Sequence, residues 1–161
     1  MLTKKIVGQG GKNITTGLDL LHAVDPNGKI VISRKDDNGD EFPYDALDRV
    51  LIIRTTRKGL SVALKHMIPS LQFQELPEYR LEVRMMVPSH CMASVMGKGG
   101  NVINDLCKET GSLINPFKTP LPNADEIVLS VKHYELDALA ETIMKITQLV
   151  NVKKEMMPIS R

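Results

Sequence analysis

From Arg80 to Val87 the chain alternates cleanly, with Leu81, Val83, Met85 and Val87 on one side and Arg80, Glu82 and Arg84 on the other. A period of two predicts a half-buried strand. Pro88-Ser89 ends it, and Ser89 is placed to cap a short helix carrying Ala93, Val95 and Met96. The spacing then turns helical, through Ile103 and Leu106 to Thr110-Gly111. Strands follow over Leu113–Phe117 and Glu126–Val131, joined by an extended connection that Pro116, Pro120 and Pro122 mark. A last helix spans about Glu135 to Val150, with Leu136, Leu139, Ala140, Ile143 and Ile146 on one face. The predicted order is strand, helix, loop, helix, strand, strand, helix.

The first half repeats part of this pattern. A helix through Leu18, Leu21 and His22 stops at the turn residues Asp25-Pro26-Asn27-Gly28. Lys29–Arg34 reads as a strand, residues 35–41 as a hydrated loop, and Asp48–Arg54 as a buried strand. From Arg57 to Gln72 an apolar stripe of Leu60, Ala63, Leu64, Met67, Ile68 and Leu71 predicts a helix whose last turn Pro69 shortens. Residues 73–78 are the linker, which reaches only about 20 Å when extended. The expected organisation is a first domain over 1–72, the linker, a second domain over 79–152 and a tail over 153–161.

Two glycine loops sit at matching places. Gly97-Lys98-Gly99-Gly100 has Val95 and Met96 before it and Ile103 three residues after it; Gly8-Gln9-Gly10-Gly11 has Ile6 and Val7 before it and Ile14 after it. The offset of 89 residues predicts an internal repeat. The copies are unequal: Gly17 stands where the second has Leu106, and the first has no Thr-Gly at the place of Thr110-Gly111. Glycines let a phosphate approach backbone amides closely, and the helix that begins near Asn101 points its positive end at the same place. Lys98 adds a charge there. In the first copy Gln9 replaces that lysine, and Lys4, Lys5 and Lys12 are the nearby cations.

The arrangement resembles the type I KH (K-homology) unit, whose GXXG loop clamps about four backbone nucleotides. The resemblance is closest to the poly(C)-binding group that includes heterogeneous nuclear ribonucleoprotein K. It rests on IVGQGGKNI (6–14), DRVLIIR (48–54), LKHMIPSL (64–71) and VPSHCMASVMGKGGNVINDLCKETGSLI (87–114). It implies an α+β fold of two tandem KH domains, each a three-stranded antiparallel sheet packed against three helices. It also implies single-stranded, pyrimidine- or C-rich RNA or DNA as ligand, in post-transcriptional regulation shared between nucleus and cytoplasm. Bases are expected along an apolar groove formed by Val95, Met96, Ile103 and Ile114, and by Val7 and Ile14 in the first copy. Family members often carry Arg just after the Thr-Gly; here Leu113 stands there, leaving Asn115, and Arg34 in the first copy, as candidate base readers.

In the first copy only seven residues precede Gly8, so its opening strand is missing. In the family that strand pairs with the one here at 50–54, and its loss leaves a marginal two-stranded ribbon with an apolar edge. Either the chain is a fragment or short isoform, or another chain covers that edge. The first unit is expected to be the less stable.

Composition narrows the partners. The chain of 161 residues has 42% hydrophobic and 25% charged residues, which fits a globular protein. No run approaches the roughly 18 apolar residues of a membrane span, and the N-terminus has no secretory apolar stretch. Two cysteines, Cys91 and Cys107, fit a reducing compartment better than a disulfide framework. The net charge of +2 divides into +3 for residues 1–72 and −1 for 73–161, so contacts with phosphate depend on a few placed cations. There is no Trp, and aromatics are 4%, against stacking-based binders of the RRM or OB type.

No enzyme, metal or cofactor is expected. Asp36–Asp40 lacks the glycine spacing of a calcium loop, and His22, His66, His90 and His133 lack metal spacing. Ser89-His90-Cys91 is adjacency in the chain and not a triad. Asn13-Ile14-Thr15 is a glycosylation sequon inside a binding loop. The competing reading is a protein-interaction scaffold, a homo- or hetero-oligomer formed through the exposed sheet edge of the first domain.

Overall fold

Helix α1 (Lys12–His22) starts at Gly11, whose φ of 79° and ψ of 5° are left-handed. The computed structural model describes residues 11–32, 50–71, 81–118 and 125–156, and the chain divides into units Met1–Gln74 and Glu75–Arg161. In the first unit, α1 buries Leu21 beneath β1 (Lys29–Ile32) and β2 (Leu51–Arg54), which pair antiparallel with Ile30 opposite Ile53 and Val31 opposite Ile52. Helix α2 (Arg57–Met67) adds Ala63 and Met67 to a core with Leu21 and Ile30, while Ile14, Leu18, Ile32, Leu51 and Ile53 pack around it.

Two expectations are corrected here. The strand at 51–54 is buried on one face only: Val31 and Ile52 are 50% and 39% exposed, because α1 and α2 cover only the side holding Ile30 and Ile53. The α-helix over 57–72 ends at Met67 and becomes a 3-10 turn, Ile68–Leu71, because Pro69 has no N–H to continue the ladder. Arg34 lies outside the described residues, and so do Val7, Gly8, Gln9 and Gly10.

A buried carboxylate joins the turn between α1 and β1 to the start of α2. Asp25 accepts hydrogen bonds from the Thr55 hydroxyl at 2.6 Å, the Thr56 amide at 2.7 Å and the Asn27 amide at 3.2 Å. Thr56 in turn caps α2 by accepting from the Gly59 amide. The Thr55 hydroxyl first, and then the Thr56 amide, hold the Asp25 pKa below its ordinary 3.8. A lowered folded pKa means that this stabilisation is complete above the unfolded value. It is lost as the pH falls below about 4 and through the folded value. Melting of the first unit therefore drops on acidification below about pH 4, and Asp25→Asn lowers stability at neutral pH while flattening that acid limb. Thermal melts at a series of pH values check it; parallel profiles for the two proteins would remove Asp25 as the cause.

The second unit is fuller. Its elements are β3 (Leu81–Pro88), a 3-10 turn (Ser89–Cys91), α3 (Met92–Met96), a 3-10 turn (Lys98–Gly100), α4 (Asn101–Thr110), β4 (Leu113–Pro116), β5 (Glu126–His133) and α5 (Leu136–Met156). The sheet order is β3-β5-β4, antiparallel throughout, so β5 is central. Val83, Val87, Leu129, Val131 and Ile114 are buried together with Leu139, Ile143 and Ile146 of α5. Ser89 opens the 3-10 turn, and its amide donates to Asp125 O at 3.0 Å. Helix α5 runs on past Val150 to Met156, so the segment set aside as a tail begins inside it. At the other end of α4, Gly111 turns left-handed and the Ser112 hydroxyl meets that of buried Thr142 at 2.7 Å.

Among the described residues, six apolar side chains are buried in the first unit (Leu21, Ile30, Ala63, Leu64, Met67, Ile68) and sixteen in the second. At about 1.5–3 kcal/mol per buried side chain, the described elements of the first unit have less burial holding them than those of the second. Native-state hydrogen exchange is expected to show α1, β1 and β2 opening at lower free energy than β3 and β5. Equal protection in both would contradict this.

Candidate functional site

The loop between α3 and α4 is set by three positive φ angles. Gly97 has φ 72° and ψ 174°, a combination open essentially only to glycine, and a Cβ there would run into Asn101 Oδ1 and Val102 Cγ2. Gly99 (φ 63°) and Gly100 (φ 78°) are both left-handed, and nothing lies within 4 Å of where a Gly99 Cβ would stand. The turn is closed by the Gly97 amide donating to Ala93 O at 3.0 Å and the Gly100 amide to Gly97 O at 3.2 Å. Lys98 and Gly99 remain as its exposed residues. Those constraints account for glycine at three of the four places and a side chain only at the second.

Helix α4 begins directly behind the turn. It has no side-chain cap and no acidic residue in its first turn, so no carboxylate of that turn offsets its partial positive charge. Exposed Asn101 is its first residue. The same local geometry recurs in the first unit: Gly11 matches Gly100 within ten degrees in φ and ψ, and α1 also lacks a side-chain cap and an acidic first turn. Lys12 is exposed at its start. Asn13 is committed internally, since its amide donates to Ser70 Oγ at 2.7 Å.

The groove-lining expectations need correction. Val95, Ile103 and Ile114 are 0%, 5% and 6% exposed, so they belong to the core and have almost no area to offer a base. Their apolar character answers to the packing of α3, α4 and β4 together. Ile14 is likewise packed against the core of the first unit. Met96 is half-buried, and Asn115 is exposed on the edge strand β4. Half-buried Val102 lies beside the loop and was not singled out in the sequence. It packs against Gly97, where it leaves no room for a Cβ.

Concavities differ between the units. In the first, a groove of about 620 Å³ lies between α1 and β1, lined by Leu18, His22, Asn27, Lys29, Ile30 and Val31. The His22 Nε2 lies 2.9 Å from Gly28 O on its wall. In the second, a groove of about 560 Å³ is lined by helices only, including Val102, Leu106 and Leu149, and Lys145 spans it to Glu109 at 2.6 Å. Among the described residues no cluster of three His, Cys, Asp or Glu side chains is placed to hold a metal ion, and no helix is long and apolar enough to cross a membrane.

Residues 82–133 match the family model of the KH domain. Comparison with curated proteins gives no match. Solved chains match as well. One is the solution structure of the first KH type I domain of human vigilin, 14% identical over 56% of this chain and 94% of that chain, with a TM-score of 0.34. The second unit thus contains a KH domain, with the element order of type I. KH domains bind RNA and other single-stranded nucleic acids and are not catalytic. Residues 1–81 lie outside the matched segment.

Proposed function

We propose that the second unit seats the backbone of single-stranded RNA or DNA on the Gly97–Gly100 loop, with Lys98 and the first amides of α4 facing phosphate. One observation carries this reading: a loop with three positive-φ glycines and an exposed lysine opens onto a helix that has neither a side-chain cap nor an acid in its first turn. Asn101 borders the phosphates, and Asn115 on the edge that β4 forms among the described residues reads a base, with Met96 and Val102 beside the loop. The targets are pyrimidine-rich, C-rich among them, and the setting is post-transcriptional regulation in nucleus and cytoplasm. The resemblance to the poly(C)-binding group supports these finer assignments; Leu113 in place of Arg weakens the claim of C over U.

The first unit is read as a second, shortened KH copy in tandem. Its support is the 89-residue offset of the loops, the matching backbone of Gly11 and Gly100, and a groove between the helix and the strand that follow its loop. Titration of labelled C-rich, U-rich and A-rich heptanucleotides at low salt, followed by anisotropy, tests the binding reading. C- and U-rich strands bind better than A-rich ones. The log–log salt slope is shallow, between about −0.7 and −2, because one to three phosphates are neutralised. No binding to any of them would overturn the proposal. A scaffold role has one observation in its favour, the exposed Val31–Ile52 pair across β1 and β2. Light scattering that finds only monomer at high concentration removes its homo-oligomeric form.

A further inference from the structure

Away from the loop, the sheet of the second unit has an outward side on which Ser130 and Val128 of the central strand are buried while Arg84 and Asn115 on the flanking strands stay exposed. The inward positions are Val83, Val87, Leu129, Val131 and Ile114. By alternation Arg84, Ser130 and Asn115 point the other way, and the register sets them in one row: Arg84 opposite Ser130, and Ser130 opposite Asn115. Phe117 extends β4 by one step, with its amide donating to Val128 O at 2.8 Å, and so stands on the same outward side. The Arg84 guanidinium lies 5.7 Å from the centre of the Phe117 ring. Its Nε is 3.4 Å from Glu82 Oε1, and Ser130 Oγ donates to the same Glu82 oxygen at 2.7 Å.

The consequence is a planar cation held in place. Phe117 supports Arg84 as a cation–π partner and Glu82 fixes its edge, while the Arg84 side chain stays 54% exposed. Ordering the guanidinium in advance lowers the entropy cost of stacking a base on it. Asn115, about 10 Å away across two strand spacings, offers two donors and an acceptor to a base edge. Lys118, exposed just beyond Phe117, adds positive charge at the margin of this face. Glu82 is already engaged by Ser130 and Arg84, so the opposing charge there is partly spent. Strand β4 follows α4 directly and pairs only with β5 among the described residues. A nucleic-acid strand that leaves the loop past Asn115 on β4 and crosses the outward side of the sheet over β5 reaches Arg84.

We infer that Arg84, backed by Phe117 and flanked by Asn115, is a stacking subsite for a nucleobase beyond the about four nucleotides that the loop clamps. The inference rests on the loop reading above and extends the footprint onto the outward sheet face. It explains how a chain without Trp gains a stacking surface: the platform is an arginine plane instead of an exposed ring.

The test uses the full chain, a pyrimidine tetranucleotide, and two heptanucleotides that extend it by three nucleotides at the 5′ or the 3′ end. Each extension carries 2-aminopurine. One heptanucleotide binds roughly tenfold tighter than the tetranucleotide and its fluorophore is quenched, as stacking requires. Arg84→Ala and Arg84→Lys both abolish the gain and the quenching, the lysine variant because it keeps the charge without the plane. Both retain the tetranucleotide affinity. If the tetranucleotide binds but neither extension helps, or if the gain and quenching survive in Arg84→Ala, this subsite is wrong and the loop reading stands. If Arg84→Lys keeps the gain without quenching, charge alone acts there and the stacking subsite is wrong. Absence of binding by all three strands overturns the loop reading, and this inference with it.

Discussion

The double variant Lys98→Asp, Gly99→Asp binds single-stranded oligonucleotides about a hundredfold more weakly than the wild-type chain and still folds. The change in the loop is three units of charge, two from Lys98 and one from Gly99. At about 4 Å in water a pair of unit charges is worth about 1 kcal/mol, so three units against one phosphate come to about 3 kcal/mol. That corresponds to roughly a hundredfold in affinity. Folding is spared because both residues are exposed and a Gly99 side chain meets nothing within 4 Å. The positive φ of Gly99 costs about 1 kcal/mol for a side chain, and aspartate is among the residues that tolerate it best. Gly97 is unsuitable for this purpose, since a Cβ there collides with Asn101 and Val102 and would confound binding with folding. Anisotropy titrations beside thermal melts make the comparison. Undiminished binding by a folded variant would remove the loop from the site.

Leu129→Ala is expected to destabilise the second unit by about 2–5 kcal/mol, the range for truncating a fully buried leucine. Leu129 is 0% exposed on β5, the central strand, where it stands opposite Met85 of β3 and Pro116 of β4. A cavity there is bounded by elements on both sides, and neither edge strand can shift inward without losing its register with β5. Urea unfolding, followed through amide signals of the second unit, should show a lower midpoint with an unchanged slope. A loss under about 1 kcal/mol would mean that the core closes over the gap. The expected loss is a large part of the 5–15 kcal/mol available to a typical domain, so oligonucleotide binding should fall with it at physiological temperature.

How much of this was legible beforehand varied along the chain. The alternation at 81–87 and the helical stripe of α5 identified their elements because the period is a local property of neighbouring residues. The ends were less legible. Helix α5 continues to Met156, and α2 gives way to a 3-10 turn at Ile68, since helix ends depend on caps and packing as well as on period. The glycine loop was recognisable from its spacing, and the structure supplied the reason for each glycine in it.

Residue roles divided differently. Type and spacing alone were enough to mark Gly97, Gly99 and Gly100, because a positive φ is a demand the backbone makes on the residue itself. Val95, Ile103 and Ile114 carried no such mark: apolar character suits both a groove and a core, and only the elements laid against them decided for the core. The same holds for Ile52, which read as buried and is exposed because helices cover a single face of its ribbon. Asp25 reaches Thr55 and Thr56 across 30 and 31 residues, and Arg84 lies over Phe117 through the register of three strands. The sequence by itself determined the elements of the second unit and its glycine loop, which are set by neighbours in the chain. Which side chains face solvent, and which distant ones meet, was decided by tertiary structure alone, because burial and cross-strand contact belong to the packed arrangement and to no single stretch.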